Sequence, residues 1–125
     1  MSLTTQGYFM AQSFRELLVW QRSRELAVLL YRLTQRFPHA EAYGLSAQLC
    51  RAGVSVASNI AEGSGRGTRS DYRSFLRMAR GSALEVQTQL LIARDLGFGE
   101  PSEIERAQKA AEEISKMLWA IVQKL

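Results

Sequence analysis

Between Ile104 and Leu125 the apolar residues fall at Ile104, Ala107, Ala111, Ile114, Leu118, Ile121 and Leu125. The steps alternate between three and four. That is a heptad seam, which keeps one narrow face of a helix turned toward neighbours in a left-handed bundle. A helix with such a seam cannot stand alone, so the rest of the chain must supply its partners.

Three further stripes supply them. Leu26, Leu29, Leu30, Leu33 and Phe37 recur at helical spacing, with Leu17 and Trp20 extending the stripe upstream. Ser13 to Glu16 reads as a capping box opening this helix, which runs to about Arg36 and is ended by Pro38. A second helix, from about Gly44–Ser46 to Glu62, has the stripe Leu45, Leu49, Ala52, Val56 and Ile60, with Gly63 as its C-cap. The third runs from about Arg69 to Leu96 behind an N-cap at Thr68 or Ser70. Its stripe is Tyr72, Phe75, Leu76, Ala79, Ala83, Val86, Leu90 and Ala93, and Gly97-Phe98-Gly99 stops it. Gly81 in mid-helix costs about 1 kcal/mol relative to Ala, which suggests a neighbouring helix close by. A second capping box, at Pro101 to Glu105, opens the fourth helix. Trp119 lies off its seam, as a residue facing a partner would.

No segment alternates with period two and no internal repeat is visible. The pattern predicts an all-α fold, an up-down-up-down left-handed four-helix bundle. Residues 14–125 form it and residues 1–13 are a flexible N-terminal tail. A chain of 125 residues is long enough for one core without staples. The single Cys50 makes no internal disulfide, and no apolar run reaches the roughly 20 residues of a membrane span. Residues 1–13 lack the basic and apolar regions of a signal peptide. A cytoplasmic protein with no membrane partner is the expectation.

Chemistry is hard to find. The turn Gly63-Ser64-Gly65-Arg66-Gly67 has the glycines of a phosphate loop, but a helix precedes it and no Lys-Ser/Thr follows. It reads as a helix–helix turn that uses the backbone freedom of glycine. His39 is the only histidine and sits beside Pro38, so neither a Glu-x-x-His metal site nor a serine-hydrolase base is available. Cys50 reads as a small core or interface residue. No cofactor, no metal and no catalytic constellation are expected; the chain reads as a non-enzyme.

Two polar features remain. On the second helix Gln48, Arg51, Ser55, Asn59 and Glu62 fall within about 80° of arc at 100° per residue, bordering the apolar stripe. They form either a solvated face or a partly buried hydrogen-bonded network within the bundle or between subunits. Ser and Asn are mediocre helix formers, which favours the network. On the third helix Arg69, Arg73, Arg77 and Arg80 also share about 80° of arc, continued upstream by Arg66. Asp71 is the only acid from Arg66 to Arg80. The net charge of +4 is uneven: residues 1–80 hold eleven Arg against five acids. A guanidinium row suits phosphates and hence nucleic acid; it equally suits ion pairs with acids of the fourth helix. No aromatic lies in the row to stack bases, which argues against single-strand binding.

A resemblance adds to this reading. Leu18-Val19-Trp20-Gln21, Phe37-Pro38, Gln48-Leu49-Cys50-Arg51-Ala52, Ser55-Val56-Ala57-Ser58-Asn59-Ile60-Ala61-Glu62-Gly63, Phe75-Leu76, Ala79-Arg80-Gly81-Ser82 and Leu96-Gly97-Phe98 span nearly the whole domain. In these stretches the chain resembles the bacterial four-helix bundle proteins, some of them encoded in intervening sequences of large-subunit ribosomal RNA genes, whose older label as a ribosomal protein is poorly founded. Cys50 departs from the family pattern, which has a basic or other polar residue there. The resemblance implies a cytosolic homopentameric ring without enzyme activity. It also implies kinship with a retroelement accessory protein that works with a reverse transcriptase and nucleic acid. Two functional readings follow: an oligomeric module holding nucleic acid or a nucleoprotein on a basic surface, or an assembly scaffold or protein-interaction module that binds no nucleic acid and whose arginines serve subunit ion pairs.

Overall fold

The computed structural model describes residues 13–125; the expected tail, but for Ser13, lies outside them. Four helices follow in order: α1 (Leu18–Thr34), α2 (Leu45–Ser64), α3 (Arg69–Asp95) and α4 (Pro101–Lys124). There is no strand among the described residues. Each helix packs on its neighbours in sequence, and α4 returns to α1, closing the up-down-up-down bundle.

The four stripes meet in one core. Leu26, Leu30 and Leu33 of α1, Leu49, Val56 and Ile60 of α2, Leu76, Val86 and Leu90 of α3, and Ile104, Ile114 and Leu118 of α4 are all buried. Replacing one of these leucines by Ala would cost about 2–5 kcal/mol. Ser23 is also fully buried, where its hydroxyl donates to Val19 O at 2.7 Å and so pairs a polar group that the core would otherwise penalise. Phe37 and Phe98 close one end with ring centroids 5.7 Å apart.

Several helix ends differ from expectation. Ser13 caps only a single 3-10 turn, Phe14–Glu16, accepting from Arg15 N at 3.2 Å. Leu17 then turns extended, which drops its side chain into the core, and α1 begins at Leu18. No capping box forms. The α1 helix ends at Thr34 and the chain passes through turns to Pro38. In α4 the cap is Glu100 and Pro101 takes the first helical position, so Ser102 is already inside the helix. Proline, with no N–H to orphan and φ already helical, starts the helix one residue ahead of the serine.

Gly63 is not the cap of α2, which continues to Ser64 and ends on Gly65. It is buried where α2 crosses α3. Gly97 does stop α3, with φ +75°. Phe98 N donates to Ala93 O and Gly97 N to Arg94 O, the two bonds of a Schellman turn. Thr68 caps the start of α3, accepting from Asp71 N at 3.1 Å. The neighbour expected beside Gly81 is absent among the described residues: Gly81 is exposed, with open space around the position of a Cβ.

Candidate nucleic-acid interface

The long helix α3 buries one face and leaves two flanks. Phe75 and Ser82 lie on the flank toward α2, where Phe75 meets Gly63 and the Ser82 hydroxyl bonds that of Ser55 at 2.9 Å. Arg80 and Gln87 lie on the flank toward α4, where Arg80 covers the Trp119 ring and Gln87 donates to Ser115 Oγ at 3.1 Å. Arg73, seven residues before Arg80, is on that same flank, because seven residues are nearly two helical turns. Arg69 and Arg77 fall beside them within the same arc.

Arg66 does not join this row. It pairs with Glu62 at 3.0 Å and its guanidinium stands 4.9 Å over the Phe75 ring, on the α2 side. Phe75 lies about 140° around α3 from Arg80. The basic row therefore has four members, not five. Both partners of the Arg66–Glu62 pair are half-exposed, so it contributes at most a few tenths of a kcal/mol.

Among the described residues Arg73, Arg77 and Arg80 take no ion pair from the acids of α4. Among the described residues neither Arg73 nor Arg77 is in an ion pair. Arg80 is held by an aromatic ring instead: its Cζ lies 5.1 Å from the Trp119 centroid, and its buried Nε has no hydrogen-bond partner. Beside it a cavity of about 240 Å³ is lined by Arg80, Ser115, Lys116 and Trp119. The aromatic that the arginine row lacks in sequence is thus contributed by α4. A signal was present: Gln108, Ser115 and Trp119 share a row at steps of seven and four beside the seam. What no spacing could show was which row of α3 that row faces.

The polar line of α2 divides. Ser55 and Asn59 are half-buried, and Asn59 Nδ2 donates to Ser55 O at 2.9 Å and to Ser55 Oγ at 3.0 Å. With Ser82 they make a three-residue network across the α2–α3 seam. Gln48, Arg51 and Glu62 are exposed and stand outside it. Cys50 is buried, its Sγ 3.3 Å from Thr34 Oγ1. Among the described residues no three His, Cys, Asp or Glu gather as a metal would require, and no helix is long and apolar enough to cross a membrane.

Together these features define a four-helix bundle whose distinctive chemistry lies on its surface, as a row of cations along one inter-helix edge. The chain belongs to the 23S rRNA-intervening sequence protein family, whose model matches residues 15–120. It is also similar to a crystal structure from Bacteroides thetaiotaomicron, of a protein with unknown function from the S23 ribosomal protein family. The two share 25% identity over 84% of this chain and 98% of that one, with a TM-score of 0.76. No curated protein matches. Neither description names an enzymatic activity.

Proposed function

We propose that this chain is a non-enzymatic cytoplasmic module that assembles into a homo-oligomer, a homopentameric ring, and holds nucleic acid or a nucleoprotein against the Arg69–Arg80 edge. The observation that carries the reading is the absence of acid partners for Arg73 and Arg77. Like charges crowded on one flank repel one another, and a fold without use for Arg73 and Arg77 would have neutralised or scattered them. Their forks suit phosphate oxygens. The half-buried Ser55–Asn59–Ser82 patch lies on the flank toward α2, across α3 from the Trp119 edge. In this reading that side serves assembly, which leaves the arginine edge facing outward.

The test measures RNA and DNA binding across a salt series, with particle mass by light scattering. Binding that weakens steeply with salt, and is lost in the Arg73→Glu/Arg77→Glu double variant at unchanged particle mass, supports the proposal. No binding by the wild-type protein at low salt overturns it. A double variant that falls apart to monomers shifts the arginines to subunit ion pairs and the protein to a scaffold.

A further inference from the structure

We propose that this edge is a single-strand site, in which an unpaired base stacks on Trp119 while the neighbouring phosphate is held by Arg80, Lys116 and Ser115. The proposal rests on the nucleic-acid reading above and narrows its ligand class.

Three features of the Arg80–Trp119 corner point the same way. The Trp119 indole is presented at the surface, 53% exposed, although it belongs to a helix whose other large apolar residues are mostly buried. One ring face is covered by the Arg80 guanidinium at 5.1 Å. A base laid on the open face would complete a guanidinium–indole–base stack, and such stacking tolerates any base because every base has a π face.

The second feature is the chemistry of the adjoining cavity. Its four lining residues bring two cations, a hydroxyl and the indole, and no carboxylate. Ser115 Oγ already accepts from Gln87 Nε2, which leaves its own O–H to donate. Arg80 Nε is buried without an acceptor. A pocket with two cations, a hydroxyl donor and no carboxylate matches a group that only accepts, and about 240 Å³ admits a phosphate along with water.

The third is continuity. Arg77 and Arg73 lie about one and two turns before Arg80 along α3, so a strand whose base rests on Trp119 can run its next phosphates along them. In the other direction the edge loses its basic excess: the next cavity, between α3 and α4, sets Glu105 and Glu112 against the single cation Arg94. That limits the track to the Trp119 end. A duplex cannot use this corner, since its bases are paired and already stacked, and it would engage the arginines alone.

The chain has two tryptophans, so a Trp20→Phe background isolates Trp119 as the reporter. The probes are a mixed-sequence oligoribonucleotide and the duplex formed with its complement. The single strand should quench Trp119 fluorescence on binding and the duplex should not. Trp119→Leu should weaken single-strand binding about ten-fold and leave duplex binding unchanged, while Trp119→Phe retains most of the affinity. Equal thermal unfolding of the three proteins by circular dichroism would show that the substitutions act on binding. If Trp119→Leu binds single strands as tightly as the parent while Arg73→Glu/Arg77→Glu does not, the stacking site is wrong and the basic surface stands. If the parent binds neither probe at low salt, both proposals fall.

Discussion

A Cβ built on Gly63 would sit 2.6 Å from Phe75 Cβ and 3.2 Å from Tyr72 Cδ1. Phe75 Cβ is anchored to its backbone and cannot swing aside, so a methyl group at residue 63 has to push α2 and α3 apart. Gly63→Ala should therefore destabilise the fold by about 1–3 kcal/mol, as overpacking does. A Cβ on Gly81 meets nothing within 4 Å, and Gly81→Ala should stabilise the isolated chain by about 1 kcal/mol. Urea unfolding followed by circular dichroism reads both signs, and a Gly63→Ala midpoint equal to or above the parent's would refute the contact. If Gly81→Ala instead lowers the midpoint or the particle mass, a second chain approaches there. The letters alone invited the opposite assignment, with Gly63 as a cap and Gly81 as a packed site. Both are glycines in a helical pattern, and only the register between α2 and α3 distinguishes them. That register is a tertiary property which spacing along one helix does not carry.

At the scale of helices, the four stripes were legible because apolar periodicity is the same physical requirement in sequence and in structure. The helix starts were less so, because an extended Leu17 and a first-turn Pro101 each overrode a plausible serine cap. The α2–α3 seam is fastened by Ser55, Asn59 and Ser82, and its energetics can be separated. Ser55 Oγ bonds Ser82 Oγ and accepts from Asn59 Nδ2. Ser55→Ala strips both neighbours of a half-buried partner and should cost about 1 kcal/mol, whereas Ser82→Ala removes a single bond and should cost less. If the bond is made, the double variant should cost less than the sum of the two, giving a coupling of about 0.5 kcal/mol or more. Additive losses in that cycle would mean that the serines do not interact. The result also bears on assembly. A patch already satisfied within one chain offers a second chain only its unused hydroxyl valences, so Asn59→Leu should lower stability before it lowers particle mass.

For the whole molecule the decisive quantity is where the charge sits. A net +4 on one chain is modest, yet in the proposed ring five copies at +4 each would carry +20, arranged as repeated arginine edges. The repetition has a measurable consequence. A single strand that engages Arg69, Arg73 and Arg77 of one protomer, with Lys116 or Arg80 at its stacked base, neutralises about four phosphates. The logarithm of its binding constant should then fall against the logarithm of salt with a slope of about −3. A strand long enough to reach a second edge should show roughly twice that slope, and its affinity should rise far more than a doubling of sites would give, because the second contact is intramolecular. Binding measured over a salt series with a short and a long oligoribonucleotide reads both quantities. Equal slopes for the two lengths would mean that each strand meets only one edge, and the ring would then be a way of presenting independent sites. A slope near zero for both would remove the phosphates from the interaction altogether, and with them the reason for four arginines on one flank of α3.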